Sequence, residues 1–241
     1  MTTIGIPVGS LELPGHLAVP EGEGPWPGVV VLFEAVGATA DMRAQADRLA
    51  ANGYLAVLPD LYSGKPWVRC IRKAMRDMIR GEGPAFDAIE ATRLLLAGRD
   101  DCTGDVGVIG FCLGGGFALV AAAKHDFQAA SVNYGILPRG DTAKALEGAC
   151  PIIASYGAGD RTLRGAAAKL ERALTQAGVP HDVKEYPATG HGFLTGTAVP
   201  APLAPVLKVV MGLGEGKENA GDAWERIFSF FGEHLRKEST T

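Results

Sequence analysis

Apolar runs of strand length alternate with segments of helical period along most of this chain. Residues 28–33, 55–58, 106–111, 129–134, 152–156 and 182–186 read as strands, and the near-continuous Val, Ile, Leu and Ala of the first three imply burial on both faces. Helices fill the gaps. The segment 40–52 has Asp41 near its start and Gly53 just past its end, 86–96 spaces Phe86, Ile89, Leu94 and Leu95 at helical intervals, and 165–177 stops at Gly178. In 223–235, Trp224, Ile227, Phe228, Phe231 and Leu235 share one face, the pattern of a packing stripe rather than a ligand box. Strand and helix in alternation specify an α/β class, with a mostly parallel central sheet and helices on both faces. Nothing repeats at a fixed period and no linker interrupts the pattern, so residues 1–241 read as a single domain.

Two stretches stand outside the alternation. Residues 61–83 are helical in character and carry Arg69, Arg72, Lys73, Arg76 and Arg80. They read either as a solvated basic face or as the source of an arginine that takes a substrate carboxylate in a bidentate pair. Residues 196–216 are rich in Pro and Gly yet apolar, with Val206, Leu207, Val209, Val210, Met211 and Leu213. A loop that apolar covers something, and it reads as a lid or insertion, with a surface excursion or an oligomer contact as the other readings.

Composition narrows the field of partners. The chain has 241 residues, 47% of them hydrophobic, and a formal net charge of -4. It can bury a full core, and its charge attracts neither nucleic acid nor an anionic membrane, so the expected partner is a small molecule. The N-terminus lacks the positive start and apolar run of a signal peptide, and no apolar stretch approaches the ~18 residues of a membrane span. Cys70, Cys102, Cys112 and Cys150 are scattered without a C-x-x-C pair. That pattern suggests neither a zinc site nor a redox pair and favours a reduced, cytoplasmic protein, a monomer or small homo-oligomer, without a metal or organic cofactor.

The chemistry centres on Gly110-Phe111-Cys112-Leu113-Gly114, placed between the strand 106–111 and a helix at 117–124. G-x-C-x-G is the form of a nucleophile elbow with a thiol in the nucleophile's seat. A strand that turns sharply into a helix strains its central residue and leaves no room for side chains two positions to either side. At the first turn of a helix, unpaired N–H groups and the dipole favour a thiolate. Close packing of helix on sheet is the structural alternative for these glycines, and a dinucleotide-binding loop fails because the register is not G-x-G-x-x-G.

A thiol nucleophile needs a base and a group to orient that base. Asp160 follows the strand 152–156, and His191 sits in the small-residue loop after 182–186. Both stand at carboxyl ends of strands, where sites form in open parallel sheets. Alone, Asp160 reads equally as a helix cap and His191 as a structural residue. Together with Cys112 they give the order nucleophile, acid, histidine, which is that of the α/β-hydrolases.

These residues resemble the dienelactone hydrolases, also called carboxymethylenebutenolidases, of the α/β-hydrolase superfamily. The resemblance runs through 27–37 with Glu34-Ala35-Val36-Gly37, through A-D-R-L-A-A-N-G-Y-L-A-V-L-P-D-L-Y at 46–62, and through 110–116, 157–160 and 190–193. It implies an α/β-hydrolase fold and cleavage of a small ester or lactone through a cysteine thioester. Cys112 would be the nucleophile, His191 the general base and acid, and Asp160 its orienting group. The resemblance also implies an oxyanion hole from the N–H groups of Leu113 and Ala35. Glu34 would stand beside the thiol, opposing its ionisation until bound substrate moves the carboxylate to take the proton. Substrate contacts fall to Phe193 and to one of Arg69, Arg72 and Arg76. The family's second carboxylate-binding arginine, four residues past the histidine, is here Thr195, so a different lactone, thioester or small ester becomes as good a substrate as dienelactone. A thioesterase or acyltransferase using the same residues, and a non-catalytic redox-sensing or binding protein with a reactive Cys112, are the rival functions.

Overall fold

A computed structural model describes residues 2–196 and 204–236. Its strands are β1 (Thr2–Val8), β2 (Leu11–Ala18), β3 (Trp26–Leu32), β4 (Leu55–Pro59), β5 (Cys102–Phe111), β6 (Ala129–Asn133), β7 (Ile152–Gly157) and β8 (His181–Tyr186). The helices are α1 (Ala40–Ala50), α2 (Trp67–Arg80), α3 (Pro84–Ala97), α4 (Leu113–Lys124), α5 (Thr142–Ala145), α6 (Ala166–Ala177), α7 (Ala204–Met211) and α8 (Ala220–Leu235). One sheet of eight strands runs in the order β1-β2-β4-β3-β5-β6-β7-β8. From β4 to β8 every pairing is parallel, while β1 and β2 add an antiparallel hairpin at one edge. Helices cover both faces, as the alternation requires.

All six strands expected from the sequence are present. The hairpin β1–β2 was not expected, and its composition explains why. Gly5, Pro7, Pro14 and Gly15 remove ladder N–H groups and side chains from these strands, which hides the alternation that marks a half-buried pair. Residues 61–83 do contain a helix, α2. The segment 196–216 departs from the expected loop: 197–203 lie outside the described residues, and 204–211 form α7. Pro205 lies in the first turn, where the ring displaces no helical hydrogen bond.

The core forms around β3, β5 and α4. Every residue of α4 from Leu113 to Ala122 is buried, so this helix is covered on all sides. On one face Phe117 of α4 meets Phe86 of α3 edge-on at 5.2 Å. On another, α1 and α8 approach each other, with the Arg48 guanidinium 4.9 Å above Trp224, and Tyr54 lies against Phe228 and Phe231.

Close approach at the start of α4 demands glycine. A Cβ on Gly110 would run into the Gly114 carbonyl, and one on Gly114 into the backbone carbonyl of Leu32 in β3. These obstacles are main chain, which cannot rotate away. Gly114→Ala is therefore expected to cost ~2–3 kcal/mol or more through forced backbone shifts, lowering the thermal midpoint by at least ~5 °C in a calorimetric scan.

Candidate active site

The turn from β5 into α4 holds Cys112 at φ 56°, ψ -115°, a conformation that a non-glycine residue adopts only when its surroundings dictate it. Asn133 supplies part of that restraint. Its carbonyl accepts the Cys112 N–H at 3.0 Å, and its side-chain amide donates to the Gly110 carbonyl at 3.2 Å. Cys112 is half-buried, and no disulfide links the four cysteines. Leu113 opens α4, where first-turn N–H groups have no partner within the helix. Across from it, the Ala35 carbonyl after β3 accepts a hydrogen bond from the Tyr62 hydroxyl at 3.0 Å. That bond anchors the peptide next to the Glu34 position.

Asp160 and His191 meet at the ends of β7 and β8. His191 Nδ1 lies 2.6 Å from Asp160 Oδ2, with the two side chains 3% and 1% exposed, so the pair is withdrawn from water. The other carboxylate oxygen, Oδ1, accepts the Thr162 N–H at 2.9 Å and also the Thr162 hydroxyl. Asp160 is thus both the cap of the short turn at 161–163 and the partner of the histidine, and the two readings do not compete. Burial opposes its charge, but the hydrogen bonds from His191 and Thr162 outweigh burial and hold the carboxyl below its usual range. For His191, burial again disfavours the charged form. The charge of an ionised Cys112, followed by the hydrogen bond to Asp160, overrides it and raises the imidazole well above the ordinary histidine range. Nε2 is buried with no hydrogen-bond partner among the described residues.

The histidine loop is braced from behind. His191 N–H donates to the Met211 carbonyl at the end of α7 (2.7 Å), and Gly190 N–H donates to Glu215 (3.2 Å). Asn219 Nδ2 donates to Thr189 Oγ1 at 2.7 Å, and Gly159 N–H to the Thr189 carbonyl at 2.7 Å, which ties the aspartate loop to the histidine loop. The part of 196–216 expected as a lid therefore supports His191 through residues 211–215. Val206 and Val209 of α7 are exposed.

Glu34 follows β3 and is 4% exposed; Thr195 donates its hydroxyl proton to Oε1 at 2.7 Å. Phe193, expected to contact substrate, is instead 2% exposed and packs between Tyr134 and Tyr186 at ring distances of 5.9 and 5.2 Å. The turn that exposes a histidine buries the aromatic two positions on. Arg69, Arg72 and Arg76 are all exposed on α2, and no side-chain hydrogen bond or ion pair of theirs is formed among the described residues. Arg69 lines an open cleft of about 530 Å³ between the N-terminal hairpin, α2 and α3, where Tyr62 also contributes a wall. Tyr134, Thr162 and Asn133 were not picked out from the sequence and lie in no motif, and Tyr62 entered only as the end of the run at 46–62; the fold alone brings them to the site.

Among the described residues, no cluster of His, Cys, Asp and Glu could hold a metal ion, and no helix is long and apolar enough to cross a membrane.

Comparison with known proteins agrees with this architecture. The sequence pattern of the dienelactone hydrolase family matches residues 13–235. A carboxymethylenebutenolidase from Rhodococcus opacus is 28% identical over 227 residues, covering 86% of this chain and 81% of the relative. Among solved structures, a dienelactone hydrolase-like promiscuous phosphotriesterase from metagenomic libraries superposes with a TM-score of 0.77 at 22% identity, covering 98% of each chain. A dienelactone hydrolase from Anabaena variabilis gives 0.70 at 21% identity, again over 98% of each. At those identities the structures speak for the α/β-hydrolase fold alone. The family match spans nearly the whole sequence, and on that ground the chain belongs to the dienelactone hydrolase family of carboxylic ester hydrolases.

Proposed function

We propose that this protein hydrolyses a small ester or lactone through a thioester on Cys112. The observation that carries the reading is the buried 2.6 Å contact of His191 with Asp160, on the rim of the sheet from which the strained Cys112 also rises. The Cys112 S–H bond breaks and its proton passes to His191 as the sulfur attacks the substrate carbonyl carbon, a C–S bond forms, and the carbonyl π pair moves to oxygen. The N–H groups of Leu113 and Ala35 receive that oxyanion, a charge absent from the bound ester, so they favour the transition state over the ground state. Collapse breaks the C–O bond, and the leaving oxygen takes a proton from His191. Water then attacks the thioester while His191 accepts its proton. The C–S bond breaks, the acid departs and the thiol is restored. Asp160 keeps the imidazole oriented and stabilises its charge through both halves.

Glu34 gives this scheme a control on the thiol. The Glu34 carboxylate opposes the negative charge that His191 favours on Cys112, so the thiolate forms fully only when an acyl group is bound. Substrate recognition follows the same electrostatics. Thr195 occupies the position of the family's second arginine, which favours substrates without a carboxylate, and Arg69, which lines the cleft beside Tyr62, is the arginine we assign to an anionic one.

Turnover of p-nitrophenyl acetate in ¹⁸O-labelled water tests the reading. Hydrolysis puts the label into acetate with multiple turnovers. Transfer of acetyl to an added thiol or alcohol in preference to water would make the protein an acyltransferase. Absence of turnover across an ester and lactone panel, with ready peroxide oxidation of Cys112, would make it a sensor.

A further inference from the structure

We infer that Tyr134 and Thr195 form a hydroxyl relay that fixes the Glu34 carboxylate, and that through this carboxylate both act as positioning residues for the Cys112 thiol. The inference deepens the proposed function and rests on it for its kinetic consequence, but the relay itself is read from geometry.

Three buried groups stand in line. Thr195 Oγ1 lies 2.7 Å from Glu34 Oε1, and the Tyr134 hydroxyl lies 3.0 Å from Thr195 Oγ1. Tyr134, Glu34 and Thr195 are 0%, 4% and 5% exposed. A carboxylate only accepts, and each hydroxyl has a single proton. With Glu34 ionised, the 2.7 Å contact takes the Thr195 proton in preference to the Gly192 carbonyl at 3.4 Å, so Tyr134 donates to Thr195 and Thr195 donates to Glu34. Burial, followed by the charge of Glu34, pushes the Tyr134 hydroxyl well above the usual phenol range, which keeps it protonated and a donor.

The relay is anchored at a strained point. Tyr134 has φ 41°, a value that a bulky residue holds only when its neighbours over-determine it. Its N–H is bound to the Ser155 carbonyl at 2.8 Å, and its ring lies 4.8 Å from the His191 ring. The preceding residue, Asn133, is the one whose carbonyl holds Cys112. Tyr134 thus stands between the two halves of the site, one side against the imidazole and its hydroxyl turned to the residue that holds Glu34. Hydrogen bonds to a charged group are stronger than neutral ones, so removing the Thr195 hydroxyl frees the carboxylate to move or to take a proton.

The test is the alkylation rate of Cys112 by iodoacetamide at neutral pH, followed by peptide mapping of residue 112. It is run on wild type, Thr195→Val, Thr195→Ser, Tyr134→Phe, Glu34→Gln and the double variant Thr195→Val/Glu34→Gln, each shown to be folded by circular dichroism. Glu34→Gln is expected to alkylate faster, because the opposing charge is gone, and Thr195→Val to move at least about fivefold in the same direction. Thr195→Ser restores the wild-type rate, Tyr134→Phe gives a smaller change of the same sign, and Thr195→Val adds nothing once Glu34 is Gln. A wild-type rate in Thr195→Val, failure of Ser to rescue, or an undiminished Thr195 effect in the Glu34→Gln background would overturn the relay. Should Thr195→Val fail to fold, Tyr134→Phe alone, with and without Glu34→Gln, decides in the same way. Alkylation needs no turnover, so absence of esterase activity in wild type would count against the hydrolase mechanism while these rates still judge the relay. If both readings hold, Thr195→Val lowers kcat for p-nitrophenyl acetate and leaves KM nearly unchanged.

Discussion

Cys112→Ala is expected to lower kcat/KM for p-nitrophenyl acetate by roughly 100,000-fold, about 7 kcal/mol of transition-state stabilisation, with no loss of fold. Sulfur is the group that forms the new bond, so no neighbour substitutes for it. Alanine fits the space of the thiol, and the elbow is held by main-chain contacts from Asn133 and by the glycines at 110 and 114, which the substitution leaves intact. The alanine variant retains the positive φ of residue 112 and so keeps the strain of the turn. A residual rate above the uncatalysed one should persist through the oxyanion donors. A rate within tenfold of wild type would mean that another group carries the reaction.

His191→Gln is expected to lose roughly 10,000-fold, because the attack needs the imidazole to accept a proton and the departure of the leaving group needs it to return one. It should also change the response to pH. His191 is raised in the folded protein, so its stabilising contribution is full below the ordinary histidine value of ~6.5 and is lost as pH rises through the folded value. Asp160 is held low, so its contribution is present above the ordinary carboxyl range and is lost as pH falls through its folded value. The gap in thermal midpoint between wild type and His191→Gln should therefore narrow from mildly acidic to alkaline pH. A gap that widens with pH would show that the imidazole is held neutral instead.

The parallel core was legible because β3, β4 and β5 are buried on both faces and spell that burial out in Val, Leu and Ala. That Asp160 and His191 come together, and that Cys112 stands at a sharp turn from β5 into α4, was legible because each sits where a strand gives way to a loop or helix. The N-terminal hairpin was not, since Gly and Pro stand at the positions where a strand would announce itself. Phe193 misled because proximity in sequence to His191 says nothing of which way the ring turns; it packs against Tyr134 and Tyr186. Residues 196–216 read as a lid or insertion, a surface excursion or an oligomer contact, whereas the backbone hydrogen bonds that Met211 and Glu215 accept from His191 and Gly190 have no signature in side-chain pattern. Tyr134 is the clearest case of information held only by the fold. It is one tyrosine among several in the sequence, and it becomes informative when β6 ends in a left-handed turn that sets it between His191 and Thr195.

Rapid acid quench of the protein during p-nitrophenyl acetate turnover, with peptide mass mapping of the trapped adduct, puts the covalent step to the most direct trial. The mechanism predicts an acetyl group on Cys112 that forms before steady state and disappears as substrate is exhausted. Steady turnover with no adduct on Cys112, or with the acetyl group on another residue, would contradict it.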